Sequence, residues 1–201
     1  MEDLKAVQML NLELPTDPRW VNLAEMDLEE ILTDHAYCEQ KAATSIITLI
    51  TQFPEKKKLV KALAPIVTEE WGHFRMVLSE LEKRNLDLGR QRKDEYVGEL
   101  RKFIKKGGSR DQLLLEHLLL CGLIEARSCE RFRLLSLYIS EEPLKEFYHK
   151  FMVSEAGHYV LFLELARHYF DKAVVDARWK EYLVEEARIM KSLEMRGDRM
   201  H

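Results

Sequence analysis

Apolar residues recur every three to four positions over four long windows of this sequence, and that period decides the fold class before composition is considered. Leu28, Ile31, Leu32, His35, Cys38, Glu39, Ala42, Ile46 and Ile50 mark the first window, opened by a D-x-x-E capping box of Asp27 and Glu30 and closed before Pro54. The second runs from about Glu55 to Arg84 on Leu63, Val67, Glu70, His73, Phe74, Val77 and Leu81, with a kink expected at Pro65. Ser109 with Gln112 caps the third, striped by Leu114, Leu118, Cys121, Glu125, Ser128, Phe132 and Leu135. The fourth follows Ser140 on Leu144, Phe151, Glu155, His158, Phe162 and Leu165.

Between the second and third windows the stretch Asn85 to Arg110 is too long for a hairpin. It is expected to hold a short helix, Asp94 to Lys106, ended by Gly107-Gly108. A last helix, about Lys172 to Met195, flanks the four. Two helical hairpins joined by a long crossover make an all-α, four-helix bundle with one crossing connection. Composition agrees: Gly 8 and Pro 5 in 201 residues exclude a turn-rich β fold, and 46% hydrophobic residues exclude disorder. One domain over 1–201 follows, with its core at about 27–171, its crossover at about 85–110 and its flanking helix at about 172–195. The longest uncharged stretch, Ala42 to Pro54, is too short for the roughly 20 residues of a membrane helix. The opening MEDLKAVQML is acidic where a signal peptide is basic, so a cytoplasmic protein without membrane contact is expected. Cys38, Cys121 and Cys129 are an odd number without CxxC spacing and read as small buried hydrophobes.

Glu39, Glu70, His73, Glu125, Glu155 and His158 fall on these apolar stripes, where a bare carboxylate costs several kcal/mol. Glu70-Trp-Gly-His73 and Glu155-Ala-Gly-His158 are both E-x-x-H, a spacing that sets both side chains on one helix face. Each is preceded by a lone glutamate, 31 residues before Glu70 and 30 before Glu155, so the two halves form a pseudo-repeat offset by 85 or 86 residues. One Glu from each of two helices and a Glu-x-x-His from each of the other two is the ligand set of ferritin-like di-metal carboxylate bundles. Carboxylates bridge and neutralise two hard cations, and one imidazole per metal completes a mixed N/O site suited to iron or manganese, with open positions for dioxygen. Glu146-Phe-Tyr-His149, with Glu116 upstream, has the same spacing, but both glutamates point off the stripes. His35, Tyr37 and Tyr159 are candidates to support the ligands, and Trp71 and Phe74 to pack the walls of the site. His117, His149, His168 and His201 read as surface or rim. No phosphate-binding loop, G-x-G-x-x-G or nucleophile elbow is present, so electrons are expected from an external reductase.

The stretches LTDHAYCEQKAA (Leu32 to Ala43), LIEARSCERF (Leu123 to Phe132) and SEAGH (Ser154 to His158) resemble the MiaE family of bacterial tRNA hydroxylases over roughly Trp20 to Tyr169. The resemblance implies that the six residues hold two iron ions. It also implies dioxygen-dependent hydroxylation of the isopentenyl group of 2-methylthio-N6-isopentenyladenosine in tRNA. The net charge of −4 does not suggest a nucleic-acid binder, yet Arg84 to Asp111 carries nine basic residues against five acidic. Within it Arg101, Lys102, Lys105, Lys106 and Arg110 are candidate tRNA contacts, and Arg127 and Arg131 outside it are others. Lys56, Lys57, Lys58 and Lys61 form a second basic cluster. A monomer or small oligomer is expected. Two alternatives stay open: a di-iron monooxygenase of a small prenylated or quinone-like molecule, and a ferritin-like iron-handling protein in a many-subunit shell.

Overall fold

Helix boundaries in the computed structural model follow the capping residues more closely than the apolar stripes. The structure describes residues 10–201, so most of the acidic opening segment read for a leader lies outside the described residues. The described residues form seven helices and no strand: α1 (Arg19–Glu25), α2 (Leu28–Gln52), α3 (Lys57–Lys83), α4 (Glu95–Lys102), α5 (Arg110–Tyr138), α6 (Glu142–Tyr169) and α7 (Lys172–Ser192). Among the described residues, no helix is long and apolar enough to cross a membrane.

α5 opens on the expected capping box. Ser109 Oγ accepts from the Gln112 N–H while the Gln112 side chain accepts from the Ser109 N–H. Asp94 caps α4 through the Val97 N–H, and Asp171 caps α7 through the Ala173 N–H. Asp27 occupies the N-cap of α2 but makes no side-chain cap bond, so its box is not formed. α3 passes through Pro65 without ending and stops in a Schellman turn. There Asn85 takes φ 55°, Leu86 N–H donates to Leu81 O and Asn85 N–H to Glu82 O. α4 is shorter than expected, and the chain turns at Gly107 with φ 78°. The short helix α1 carries no stripe long enough to have been read from sequence.

The described residues divide into two compact units. One holds Asn22–Lys93 and Arg196–Met200; the other holds the described part of Met1–Val21 with Asp94–Met195 and His201. In the first, α2 and α3 pack as an antiparallel pair through Ile31, Leu32, Ile46, Leu49, Leu59, Leu63, Val77 and Leu81, all buried. The C-terminal tail returns to this pair: Met200 N–H donates to Asp34 at 2.8 Å, and Arg92 to Asp198 at 2.7 Å. Gly197 lies so near the chain at Leu23 that a Cβ there would fall 2.2 Å from Leu23 O.

In the second unit α5 and α6 pair around Phe132, Leu135, Phe151 and Phe162. α7 is pinned to this pair by charge as well as by apolar contact. Arg178 donates to both Glu116 carboxylate oxygens, at 2.8 and 2.7 Å, and Tyr182 to one of them at 2.7 Å. A second buried network centres on Arg127, which donates to Glu186 at 2.8 Å, Thr16 Oγ1 at 3.0 Å and Leu14 O at 2.9 Å and pairs with Glu130. Tyr96 of α4 donates to the same Glu186 at 3.3 Å.

Two outcomes follow from these contacts. Burial works against the Glu116 charge, but its hydrogen bonds outweigh it and hold the carboxyl below its ordinary 4.5. A lowered folded pKa gives stability that is complete above pH 4.5 and is lost as pH falls through the folded value. Glu116→Gln should therefore cost about 3 kcal/mol in urea melts at pH 7, with the gap from the parent narrowing well below pH 4.5. Gly197→Ala should push the tail off α1 and lower stability by about 1–3 kcal/mol, with earlier proteolysis after Met195.

Candidate metal centre

Each helix pair buries one glutamate opposite a Glu-x-x-His. In the α2/α3 unit, Glu39 comes from α2 and Glu70 and His73 from α3, and all three are buried. His73 Nδ1 stands 3.4 Å from Glu39 Oε2 and 3.4 Å from Glu70 Oε2. One ligand atom from each of the three lies within 4.8 Å of the others. In the α5/α6 unit, Glu125 comes from α5 and Glu155 and His158 from α6, again all buried, with ligand atoms within 4.8 Å of one another. His158 Nδ1 is 3.5 Å from Glu155 Oε2.

The i,i+3 spacing explains why a glutamate and a histidine converge from one helix, and the antiparallel pairing supplies the second glutamate from its neighbour. Donor atoms 3.4–3.5 Å apart have the spacing of ligands shared by one cation at roughly 2.1 Å from each. Two hard carboxylates and one imidazole in each unit suit iron or manganese, and a buried pair of carboxylates is stabilised by the positive charge such an ion brings. The rejected duplicate is disposed of by its partners: Glu116 is held by Arg178, and Glu146 and His149 are exposed.

The supporting residues divide. His35 Nε2 lies 2.8 Å from Glu39 Oε1, one turn along α2. Tyr37 instead donates to Gly89 O at 3.0 Å, and Tyr159 packs on Trp179 with ring centroids 5.9 Å apart. Burial raises the Tyr159 pKa. Ser154, not singled out from sequence, places its hydroxyl 3.5 Å from His158 Nε2; its position four residues earlier on α6 was the available signal. Burial, with the Glu155 charge behind it, pushes the Cys129 thiol up to about 12, which keeps it protonated as expected of a structural cysteine.

Three sequence readings, those of Arg127, Arg131 and Trp71, need correction. Arg127 is fully buried and Arg131 is 4% exposed, with its guanidinium 4.1 Å over the Trp20 ring, so neither reaches a tRNA phosphate. Their local pattern resembles that of surface arginines because their partners, Glu186, Thr16 and Trp20, are remote in sequence. Trp71, expected in the walls of the site, is 49% exposed and stacks on Phe74 at 4.9 Å. His201 is half-buried, as a rim position is, where it stacks on Tyr96 and places Nε2 2.9 Å from Ser128 Oγ. Arg101, Lys102, Lys105, Lys106 and Arg110 are exposed, with Lys102 paired to Glu99 and Lys105 to Glu181.

Comparison with known proteins gives this architecture a family. Residues 4–201 match the family model described as MiaE: tRNA-(MS[2]IO[6]A)-hydroxylase (MiaE). The chain is 35% identical, over 81% of its length and 78% of the relative, to the tRNA 2-(methylsulfanyl)-N(6)-isopentenyladenosine(37) hydroxylase of Pseudomonas putida. It is 28% identical to the protein of the same name from Salmonella typhimurium, over 78% of this chain and 75% of that one. A solved structure described as protein 43 with aldehyde deformylating oxygenase activity, from Synechococcus, superposes with a TM-score of 0.88 at 32% identity, covering 94% of each chain. The fold is accordingly all-α and ferritin-like, as the helix order implied. With its two buried Glu-plus-Glu-x-x-His triads and a family match running from residue 4 to the C-terminus, the chain belongs to the MiaE family of tRNA hydroxylases.

Proposed function

We infer that this chain is a dioxygen-dependent di-iron monooxygenase that hydroxylates the isopentenyl group of 2-methylthio-N6-isopentenyladenosine in tRNA. The observation that carries the reading is the duplicated buried triad in a chain of this family. In this reading the two units form one domain over 1–201, and Glu39, Glu70, His73, Glu125, Glu155 and His158 together hold two iron ions. When bound, the iron pair supplies activation of dioxygen, with electrons delivered by an external reductase. The rest is the work of this chain's own residues. His35 fixes one oxygen of Glu39 and Ser154 braces His158, so both ligands are held in place before metal enters. Burial of all six donors keeps bulk water from the reacting carbon. In this reading exposed Arg101, Lys102, Lys105, Lys106 and Arg110 contact tRNA phosphates, and the enzyme works in the cytoplasm as a monomer or small oligomer.

The activity described for the Synechococcus structure favours a second reading, oxygenation of a small apolar molecule. One experiment separates the two. The reduced, iron-loaded protein is incubated with dioxygen and either prenylated tRNA or an aldehyde, and the products are identified by mass spectrometry. Hydroxylated nucleoside from the tRNA arm is expected; product only from the aldehyde arm would reject the tRNA reading. Light scattering that found a many-subunit shell would point to iron storage instead.

Metal content tests the ligands directly. The parent should bind two irons per chain, and Glu39→Ala or Glu125→Ala should lose bound iron and hydroxylation by more than about a hundredfold while keeping parental helicity. Retention of full iron content by either variant would refute the assignment.

A further inference from the structure

α3 presents to solvent a strip that the metal site does not need. Trp71 is 49% exposed, stacked on Phe74 with centroids 4.9 Å apart and planes 30° from parallel. At about 100° per residue, exposed Ala64 and half-buried Val60, Val67 and Leu78 fall within roughly 40° of Trp71, an apolar row that ends at exposed Glu82. Lys57, Lys61 and Arg75, all exposed, lie about 40–80° to one side of that row, spread over about 27 Å of the helix axis. Glu70 and His73 lie to the other side, at about 100° and 160°, with Phe74 between Trp71 and Glu70. From Lys56 to Thr68 the helix carries four lysines and no acidic residue. Cations, aromatic platform and candidate ligands thus follow one another around a single helix.

The pseudo-repeat supplies an internal control. At an offset of 85 residues, α6 reproduces Glu70, Gly72 and His73 as Glu155, Gly157 and His158. It does not reproduce the strip: Glu142 stands for Lys57, Glu146 for Lys61, Ala156 for Trp71 and Val160 for Arg75. Building a triad therefore requires none of these residues. A large aromatic left half in water, beside a row of cations, has the chemistry that grips unpaired nucleic acid, with phosphates on the cations and a base on the ring.

We propose that this face of α3 binds single-stranded RNA in the loop of the substrate: Trp71, backed by Phe74, stacks a base next to the target nucleotide, Arg75 takes a phosphate beside it, and Lys61 and Lys57 take phosphates further along the strand. The proposal rests on the reading of this chain as acting on tRNA. It goes beyond that reading by giving α3, which lies outside the basic crossover, the task of orienting the loop. Trp71 acts as a positioning residue, because its ring points away from the ligands while its neighbours in sequence carry them.

Trp71 also provides the readout, since Trp20 is fully buried and Trp179 is 7% exposed. The iron-loaded full chain is titrated with an unmodified RNA stem-loop and with the same stem as a blunt duplex. The stem-loop should bind more tightly and quench the tryptophan emission. Trp71→Ala should weaken stem-loop binding about tenfold, and Trp71→Phe should retain most of the affinity without the quench. The triple variant Lys57→Ala, Lys61→Ala, Arg75→Ala should lower the slope of log affinity against log salt by about 2, roughly 0.7 for each phosphate left without its cation. Val160→Ala, at the Arg75-equivalent position of α6, should change nothing. If Trp71→Ala and the triple variant bind the stem-loop like the parent while the parent still hydroxylates tRNA, the strip is overturned and the function stands. A parent that binds no RNA overturns both. Unchanged RNA binding with slowed electron delivery to Trp71→Ala would assign the face to a protein donor and overturn the proposal.

Discussion

Carboxylates inside a helical core need a counter-charge, and the rest of this fold is arranged around how that need is met. Where an arginine is available, the structure uses it: Glu116 is neutralised by Arg178, and Glu186 by Arg127. Glu39, Glu70, Glu125 and Glu155 instead lie beside an imidazole or a second carboxylate, an arrangement that favours a bound cation over an ion pair. The two solutions have different purposes. Ion pairs pin α7 to α5, and hydrogen bonds from the same Arg127 hold the 14–16 segment, while the triads leave their donors available to metal.

The duplication shows which residues belong to the triads and which to something else. Glutamates, histidines and the glycine before each histidine recur at an offset of 85 or 86 residues, whereas the exposed faces of α3 and α6 diverge in charge and aromatic content. A structural constraint shared by the repeats preserves the first set. The second set marks where the halves differ in what they meet in solution, and this is the physical basis for assigning α3 an RNA-facing role.

Most of the helices and both triads were legible in the sequence because their signals are local. An i,i+3 pair shares a helix face wherever the helix is placed, and Ser109 with Gln112 forms its box within one turn. Asp27 with Glu30 had the same spacing and failed, because a cap also requires the entering backbone to present the side chain, and the chain at Asp27 does not. α1 was missed because seven residues contain too few periods of a stripe to stand out.

Arg127, Arg131 and Trp71 mark the limit of such reading. An arginine two residues beyond a candidate ligand looks the same whether it faces phosphate or protein. Only the arrival of Glu186, 59 residues on, and of Leu14 O, 113 residues back, makes Arg127 a buried structural cation. Trp71 was assigned to a wall by residue type, and its exposure depends on which elements pack against α3. Sequence by itself determined every helix but α1, their hairpin order and the six residues of the two triads, since each follows from spacing along one chain segment. Tertiary structure decided which charges are spent inside and which face solvent, because burial depends on neighbours that no local window contains.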